Sequence, residues 1–305
     1  MTNRAHVLVW TALAALAFTN LPARAHASSR TSRSHHRHRL VSATAGPHLR
    51  STSAFVMDTT DSRVLYARRA DVAQPIASIS KLLTALVVVE RGQPLDEVLE
   101  ITREDCSVGR GAYSRLRVGT RLTRGDLLHL ALMSSENRAA HALARNYPGG
   151  MPAFVRAMNA KARALGMTTA RFVEPTGLSS ENVASAEDLS KLVAAASRNE
   201  VIREYSTDRR YAVRVGRREV EFRNTDSLVS SPAWDIIVQK TGYITEAGRC
   251  LVMQAVIEGR SVVIVLLNSF GKYTRVADAR RVRRWMEAML SEHTAPVVGA
   301  ARSTV

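Results

Sequence analysis

The chain has 305 residues, 46% of them hydrophobic, and a formal net charge of +16. That apolar share is enough for one large domain with a true core and too high for a disordered chain. Two cysteines permit at most one disulfide, which excludes a disulfide-stapled scaffold.

The N-terminus reads as an export signal. Arg4 supplies a charged start, residues 7–18 an apolar run, and Ala23-Arg24-Ala25 or Ala25-His26-Ala27 a small-residue cleavage site. The run is shorter than the roughly 20 residues of a membrane-spanning helix, and no later stretch reaches that length without a charge. The expected product is a soluble, exported protein freed of residues 1–27, with no transmembrane segment left. Residues 28–50 are rich in Ser, Thr, His and Arg and hold no acid, so they read as a disordered basic linker.

Six of the nine histidines, His6, His26, His35, His36, His38 and His48, fall in this N-terminal part. Such a tract can bind metal, but a solvated tether is the simpler reading, and no cofactor or metal is assigned. Its positive charge suits anionic wall polymers or lipid headgroups. Arg4, Arg24, Arg30, Arg33, Arg37, Arg39 and Arg50 account for +7 of the +16 and leave +9 for the rest. That remainder is scattered, which together with export argues against a nucleic-acid partner.

Residues 51–292 form the expected domain, followed by a flexible tail, 293–305. Segments 54–57 and 64–67 flank a polar turn and predict a hairpin. Residues 78–90 predict a helix, apolar nearly all round and therefore central. Helices are predicted over 124–133, 137–146, 151–165 and 186–197, the last capped by Ser185 with Asp188 three residues on. Strands are predicted over 211–215, 219–222, 236–240, 249–257 and 261–268, and a charged helix over 276–291. Strands at both ends with helices between them imply an α/β (α+β) domain, an antiparallel sheet packed with helices plus an inserted, mainly helical region. Cys250 lies in an apolar run, where a buried thiol is expected, and a bridge to Cys106 stays open as the alternative.

Three short motifs carry the chemistry. Ser78-Ile79-Ser80-Lys81 places Ser78 and Lys81 three apart, neighbours on one helix face. A serine hydroxyl needs a base, and a lysine desolvated by an apolar helix can be neutral enough to serve. A serine at a helix start also has free backbone N–H groups for an oxyanion. Ser269-Phe270-Gly271-Lys272 repeats the pattern, but it leads from a strand into a loop. Ser135-Glu136-Asn137 sits between two predicted helices, unlike Ser180-Glu181-Asn182 and Ser197-Arg198-Asn199. Lys240-Thr241-Gly242 occurs once, at the end of a predicted strand, where Gly242 lets a substrate backbone approach closely. Two of the chain's five lysines fall in these motifs. Arginine cannot replace Lys81, because it does not deprotonate in proteins.

In this order the motifs resemble the penicillin-binding proteins and serine β-lactamases. Their surroundings, Pro75-Ile76-Ala77 before Ser78, Arg138-Ala139-Ala140 after Asn137 and Tyr243 after Gly242, look like the serine D-alanyl-D-alanine carboxypeptidase and endopeptidase family. The Ser-Glu-Asn form and the lack of a further C-terminal domain or anchor look most like its low-molecular-mass, periplasmic endopeptidase branch. The resemblance implies a β-lactamase/transpeptidase-like fold. It implies Ser78 as nucleophile, Lys81 as base, Ser135 as proton relay and Asn137 as holder of the acyl-side amide. It also implies Lys240 and Thr241 as binders of the carboxylate beside the scissile bond, and the N–H groups of Ser78 and Tyr243 as oxyanion donors. Peptidoglycan stems and cross-links are the implied partners, with β-lactams as inhibitors. Cleavage of cross-links and trimming of a terminal D-Ala both remain open, since each leaves a carboxylate next to the scissile amide. A class A β-lactamase needs a glutamate for deacylation, and Glu174 lies in Glu174-Pro175-Thr176-Gly177, which departs from the lactamase pattern at Gly177.

Overall fold

The computed structural model describes residues 46–106 and 114–294, the side chains of 292–294 excepted. The expected signal peptide, the histidine-rich stretch through His38 and the tail from residue 295 lie outside the described residues. The chain enters with β1 (Ser51–Asp58), β2 (Arg63–Arg68) and the short β3 (Gln74–Pro75), then α1 (Ser80–Arg91). A mainly helical block follows: β4 (Val98–Glu100), β5 (Arg121–Thr123), α2 (Arg124–Met133), α3 (Asn137–Arg145), α4 (Gly150–Ala164), β6 (Val183–Ala184), α5 (Ala186–Ala196) and α6 (Glu200–Thr207). A hairpin of β7 (Arg210–Val215) and β8 (Arg218–Arg223) leads to β9 (Asp235–Ile244), β10 (Gly248–Ile257), β11 (Arg260–Ser269) and α7 (Thr274–Thr294).

Five strands form one antiparallel sheet in the order β2-β1-β11-β10-β9, so the first strand of the domain is closed in by the last. β10 and β11 read as continuous apolar runs because both faces are covered, and their alternate residues serve different cores. Leu251, Met253, Ile264 and Leu266 pack with Val282, Trp285 and Met286 of α7. Val252, Val263, Val265 and Leu267 belong to the larger core with α1, α2 and α5. Each such fully buried side chain contributes about 1.5–3 kcal/mol. Buried Asp278 of α7 pins the entry to the domain, accepting hydrogen bonds from Ser51 N and Ser51 Oγ, both at 2.6 Å.

The expected fold class is the observed one, with the short strands β3, β4, β5 and β6 as unexpected additions and further differences at particular residues. Pro47 and Leu49 are buried, so the folded unit begins before residue 51, inside the segment assigned to the linker. α6 was not foreseen; Asn199, the last residue of one Ser-x-Asn decoy, caps it by accepting from Ile202 N. β9 does not stop at Lys240 but runs to Ile244, because Thr241, Gly242 and Tyr243 stay paired with Leu251, Cys250 and Arg249 of β10.

Both cysteines are free: Cys250 is buried, where burial pushes its thiol up to about 11, and Cys106 is half-buried. No disulfide between them forms. We predict that a thiol reagent modifies at most Cys106 in the native protein and reaches Cys250 only on unfolding, with no mass change on reduction. Two rapidly reacting thiols in the native state contradict this.

Candidate active site

Ser78 sits in a tight 3-10 turn, Ala77–Ile79, immediately before α1, and not inside the α-helix itself. Its neighbour Ala77 has φ +49°, a left-handed conformation that a residue with a Cβ adopts only under constraint. The constraint comes from two glycines. At Gly177, φ +79°, a Cβ would lie 1.8 Å from the Ala77 carbonyl oxygen; at Gly242 it would lie 3.1 Å from Ser78 N. Gly242 therefore lets β9 close on the serine turn itself, a contact within the protein that the sequence reading had reserved for substrate.

From the first turn of α1, fully buried Lys81 reaches back to Ser78. Its Nζ lies 2.8 Å from Ser78 Oγ, 2.7 Å from Asn137 Oδ1 and 2.6 Å from the Thr176 carbonyl oxygen. Burial holds Lys81 at about 8, although the carboxylates of Glu174 and Glu136 favour its charged form. Two of the three partners can only accept. A neutral amine thus directs both hydrogens to Asn137 and Thr176 and turns its lone pair to the Ser78 hydroxyl.

Ser135 closes the other side from the junction of α2 and α3, again with a positive φ, +61°. Lys240 Nζ of β9, also fully buried, lies 2.9 Å from Ser135 Oγ and 2.9 Å from the Thr241 carbonyl oxygen. Burial, then the nearby cations Lys81 and Arg275, hold Lys240 well below the usual lysine range, with Asp226 opposing. Thr241 Oγ1 is 2.6 Å from Thr225 Oγ1, and Tyr243 is 55% exposed, with the Arg249 guanidinium over its ring at 4.5 Å. All eight residues singled out from the sequence thus lie on the serine turn, the first turn of α1, the α2–α3 junction and one stretch of β9, elements joined by direct hydrogen bonds and packing. The decoy Ser269 is buried against Ser51 instead, 2.6 Å between hydroxyl oxygens, while Lys272 lies over Tyr273.

The loop that presents Thr176 escaped the sequence reading because its contribution is a backbone oxygen. Glu174 builds it: its carboxylate accepts from Thr176 N at 2.6 Å, Thr176 Oγ1 at 2.5 Å, Gly177 N at 2.6 Å and Asn182 Nδ2 at 3.0 Å. Asn182 Nδ2 also donates to Ser80 Oγ at 3.0 Å, tying the loop to α1. Glu136 caps α3, and burial raises its carboxyl above the usual range.

A serine hydroxyl beside a buried, easily neutralised lysine, with a second serine–lysine pair across the cleft, is the equipment of a serine acyl-transferring hydrolase. The chain belongs to the D-alanyl-D-alanine carboxypeptidase family, peptidase family S11, whose model matches residues 40–271. It is 52% identical over 241 residues to a D-alanyl-D-alanine endopeptidase of Pseudomonas aeruginosa, covering 78% of each chain. To a D-alanyl-D-alanine endopeptidase of Escherichia coli it is 46% identical over 259 residues, 84% of this chain and 83% of that one. Its fold matches the DD-transpeptidase of Streptomyces K15 with a TM-score of 0.73 at 26% identity, covering 80% of this chain and 98% of that chain.

Any side chain at Gly177 displaces the Ala77–Ser78 turn. We predict that Gly177→Ala slows penicillin acylation about 10²-fold, as an ångström-scale misplacement does, and destabilises the fold by about 1–3 kcal/mol. A wild-type acylation rate in this variant contradicts the role given to the packed turn.

Proposed function

We propose that the chain is an exported serine endopeptidase that hydrolyses the D-Ala-diaminopimelate cross-links of peptidoglycan through an acyl-enzyme on Ser78. The observation that carries the chemistry is the set of three partners around Lys81 Nζ. The endopeptidase assignment is supported by the names of the two bacterial relatives above. In this reading residues 1–27 are a removed signal, the residues from 28 up to the start of the folded unit before residue 51 a basic tether to the wall, the folded unit through α7 the catalytic domain, and the residues after Thr294 a tail. The enzyme acts in the periplasm. No helix among the described residues is long and apolar enough to cross a membrane.

Catalysis begins with neutral Lys81 taking the Ser78 proton as Oγ attacks the D-Ala carbonyl. The negative charge on the carbonyl oxygen is met by the N–H groups of Ser78 and Tyr243. Asn137 makes no hydrogen bond through Nδ2 with the described residues, which leaves that amide for the acyl-side peptide group. Ser135, steadied by Lys240, relays the proton taken up by Lys81 to the departing amine. The carboxylate beside the scissile bond lies at Thr241 in the field of Lys240. After the amine leaves, water enters its place and the same groups run in reverse.

Penicillin acylates Ser78 by the same steps, but its leaving amine stays tethered and blocks the water. Glu174 offers no substitute base, because its carboxylate is committed to the loop hydrogen bonds. We predict one penicilloyl group persisting for many minutes by intact-protein mass spectrometry, and none on Ser78→Ala. Rapid return to the free mass contradicts the reading and makes the chain a β-lactamase.

Lys81 is a base only when neutral. We predict that the acylation rate falls about tenfold per pH unit below about 8 and levels off above it. Lys81→Arg, which keeps the charge without the base, loses about 10²–10⁴-fold. A rate independent of pH between 6 and 9 contradicts the role. Mass analysis of digested muropeptides tests the substrate: cross-linked dimers fall to monomers, whereas loss of one D-Ala from pentapeptides with dimers intact assigns a carboxypeptidase.

A further inference from the structure

A second concavity lies beside the serine cleft and is used by none of the steps above. A cavity of about 790 Å³ opens between residues 114–120 and the β7–β8 hairpin, and its lining includes Arg115, Arg117, Arg217 and Arg218 and no acidic residue. A smaller cavity of about 330 Å³ shares Arg115 and reaches Ser134 and Glu136, the residues on either side of Ser135. Arg115 thus lines both cavities, and the smaller one adjoins the residues that flank Ser135, with Glu221 and Arg223 also on its wall.

Arg115 fixes the walls. Its Nη1 donates to the Glu221 carbonyl oxygen at 2.6 Å, and its guanidinium lies 3.8 Å from the centre of the Phe222 ring, joining the 114–120 segment to β8. The tight turn at Gly216, φ +62°, sets Arg217 and Arg218 at the hairpin tip. Arg117, Arg217 and Arg218 are exposed and form no ion pair with any described residue. Arg210 and Arg223, on the same hairpin, both pair with Glu221, at 3.6 and 3.1 Å. Glu219 stands opposite Arg214 in the strand register. The sequence stretch 107–113 holds no acidic residue.

Like charges lining a concave wall focus the field and concentrate anions, raising association rates 10–10³-fold. Guanidinium forks match carboxylates in particular. The volume is within the range of sites for small ligands or peptide segments. A terminal D-Ala-D-Ala unit is accounted for by the Ser78 cleft alone, whereas a cross-link brings a second stem peptide with free carboxylates remote from the scissile bond. We propose that the cavity between residues 114–120 and the β7–β8 turn is an extended subsite for the carboxylates of the second peptide stem of cross-linked peptidoglycan, entered past Ser135. This rests on the endopeptidase reading.

The test compares kcat/KM of the wild type, an Arg117→Gln, Arg217→Gln, Arg218→Gln triple variant and the matching triple Lys variant. The substrates are a cross-linked muropeptide dimer with free carboxylates and a short, blocked D-Ala-D-Ala peptide. Expected is a loss of about tenfold on the dimer for the Gln variant, with most of the wild-type salt sensitivity gone. The Lys variant keeps most of the dimer activity, and all three proteins cleave the short peptide equally. Equal dimer cleavage by wild type and Gln variant overturns the subsite, as does an equal loss on both substrates. Lost binding to phosphatidylglycerol vesicles with unchanged dimer cleavage overturns it in favour of a membrane surface. A wild type that trims the short peptide but leaves the dimer intact overturns the endopeptidase reading beneath it, a result that needs no variant.

Discussion

A buried lysine amine held between a serine hydroxyl, an asparagine oxygen and a backbone carbonyl is the constraint on which the site depends. Burying a cation is strongly unfavourable unless it is hydrogen-bonded, and the protein answers in two ways at once. It surrounds Lys81 Nζ with three oxygens at 2.6–2.8 Å and lets burial draw the amine toward neutrality near 8. A second buried lysine, Lys240, adds positive charge from across the cleft, and Arg275 adds more behind it. Burial alone depresses Lys81, against the pull of Glu174 and Glu136, whereas Lys240 is lowered by burial and then by the cations Lys81 and Arg275, with Asp226 opposing.

Those three oxygens come from distant parts of the chain, which ties the fold to the site. The Thr176 carbonyl arrives on a loop organised by Glu174 and Asn182, Asn137 arrives at the first turn of α3, and Ser78 arrives on a turn pressed between Gly177 and the edge strand β9. Left-handed backbone at Ala77 and Ser135 is held in place by this packing. The same loop separates the chain from a β-lactamase. A glutamate that accepts four close hydrogen bonds from its own loop is a structural brace, its carboxylate engaged by that loop.

The sequence was most legible where chemistry demands particular side chains. Ser78, Lys81, Ser135, Asn137 and Lys240 stand out because a hydroxyl, a titratable amine and an amide recur there at spacings that bring them together. Long periodic elements were legible too; α2 and the Ser185 cap of α5 fall where they were expected. Backbone contributions were not legible. The Thr176 carbonyl, the extension of β9 through Gly242 and the short pairings of β3 with β6 and β4 with β5 leave no side-chain signature. α6 was hidden by its eight residues, too few for a clear apolar period. Each asparagine of the decoy motifs has a structural duty, Asn199 as a helix cap and Asn182 as a loop clamp, which tripeptide matching cannot distinguish from catalysis.

Because the chain has only five lysines, their side chains can be followed individually by NMR as pH is varied. The account predicts that the Lys81 side-chain resonance titrates near 8 and that Lys240 titrates well below the ordinary lysine range. It also predicts that the Lys81 resonance shifts when Ser78 is acylated. A Lys81 titration at the ordinary value of about 10.4 would mean that the amine is charged at working pH, and would contradict the assignment of Lys81 as the base.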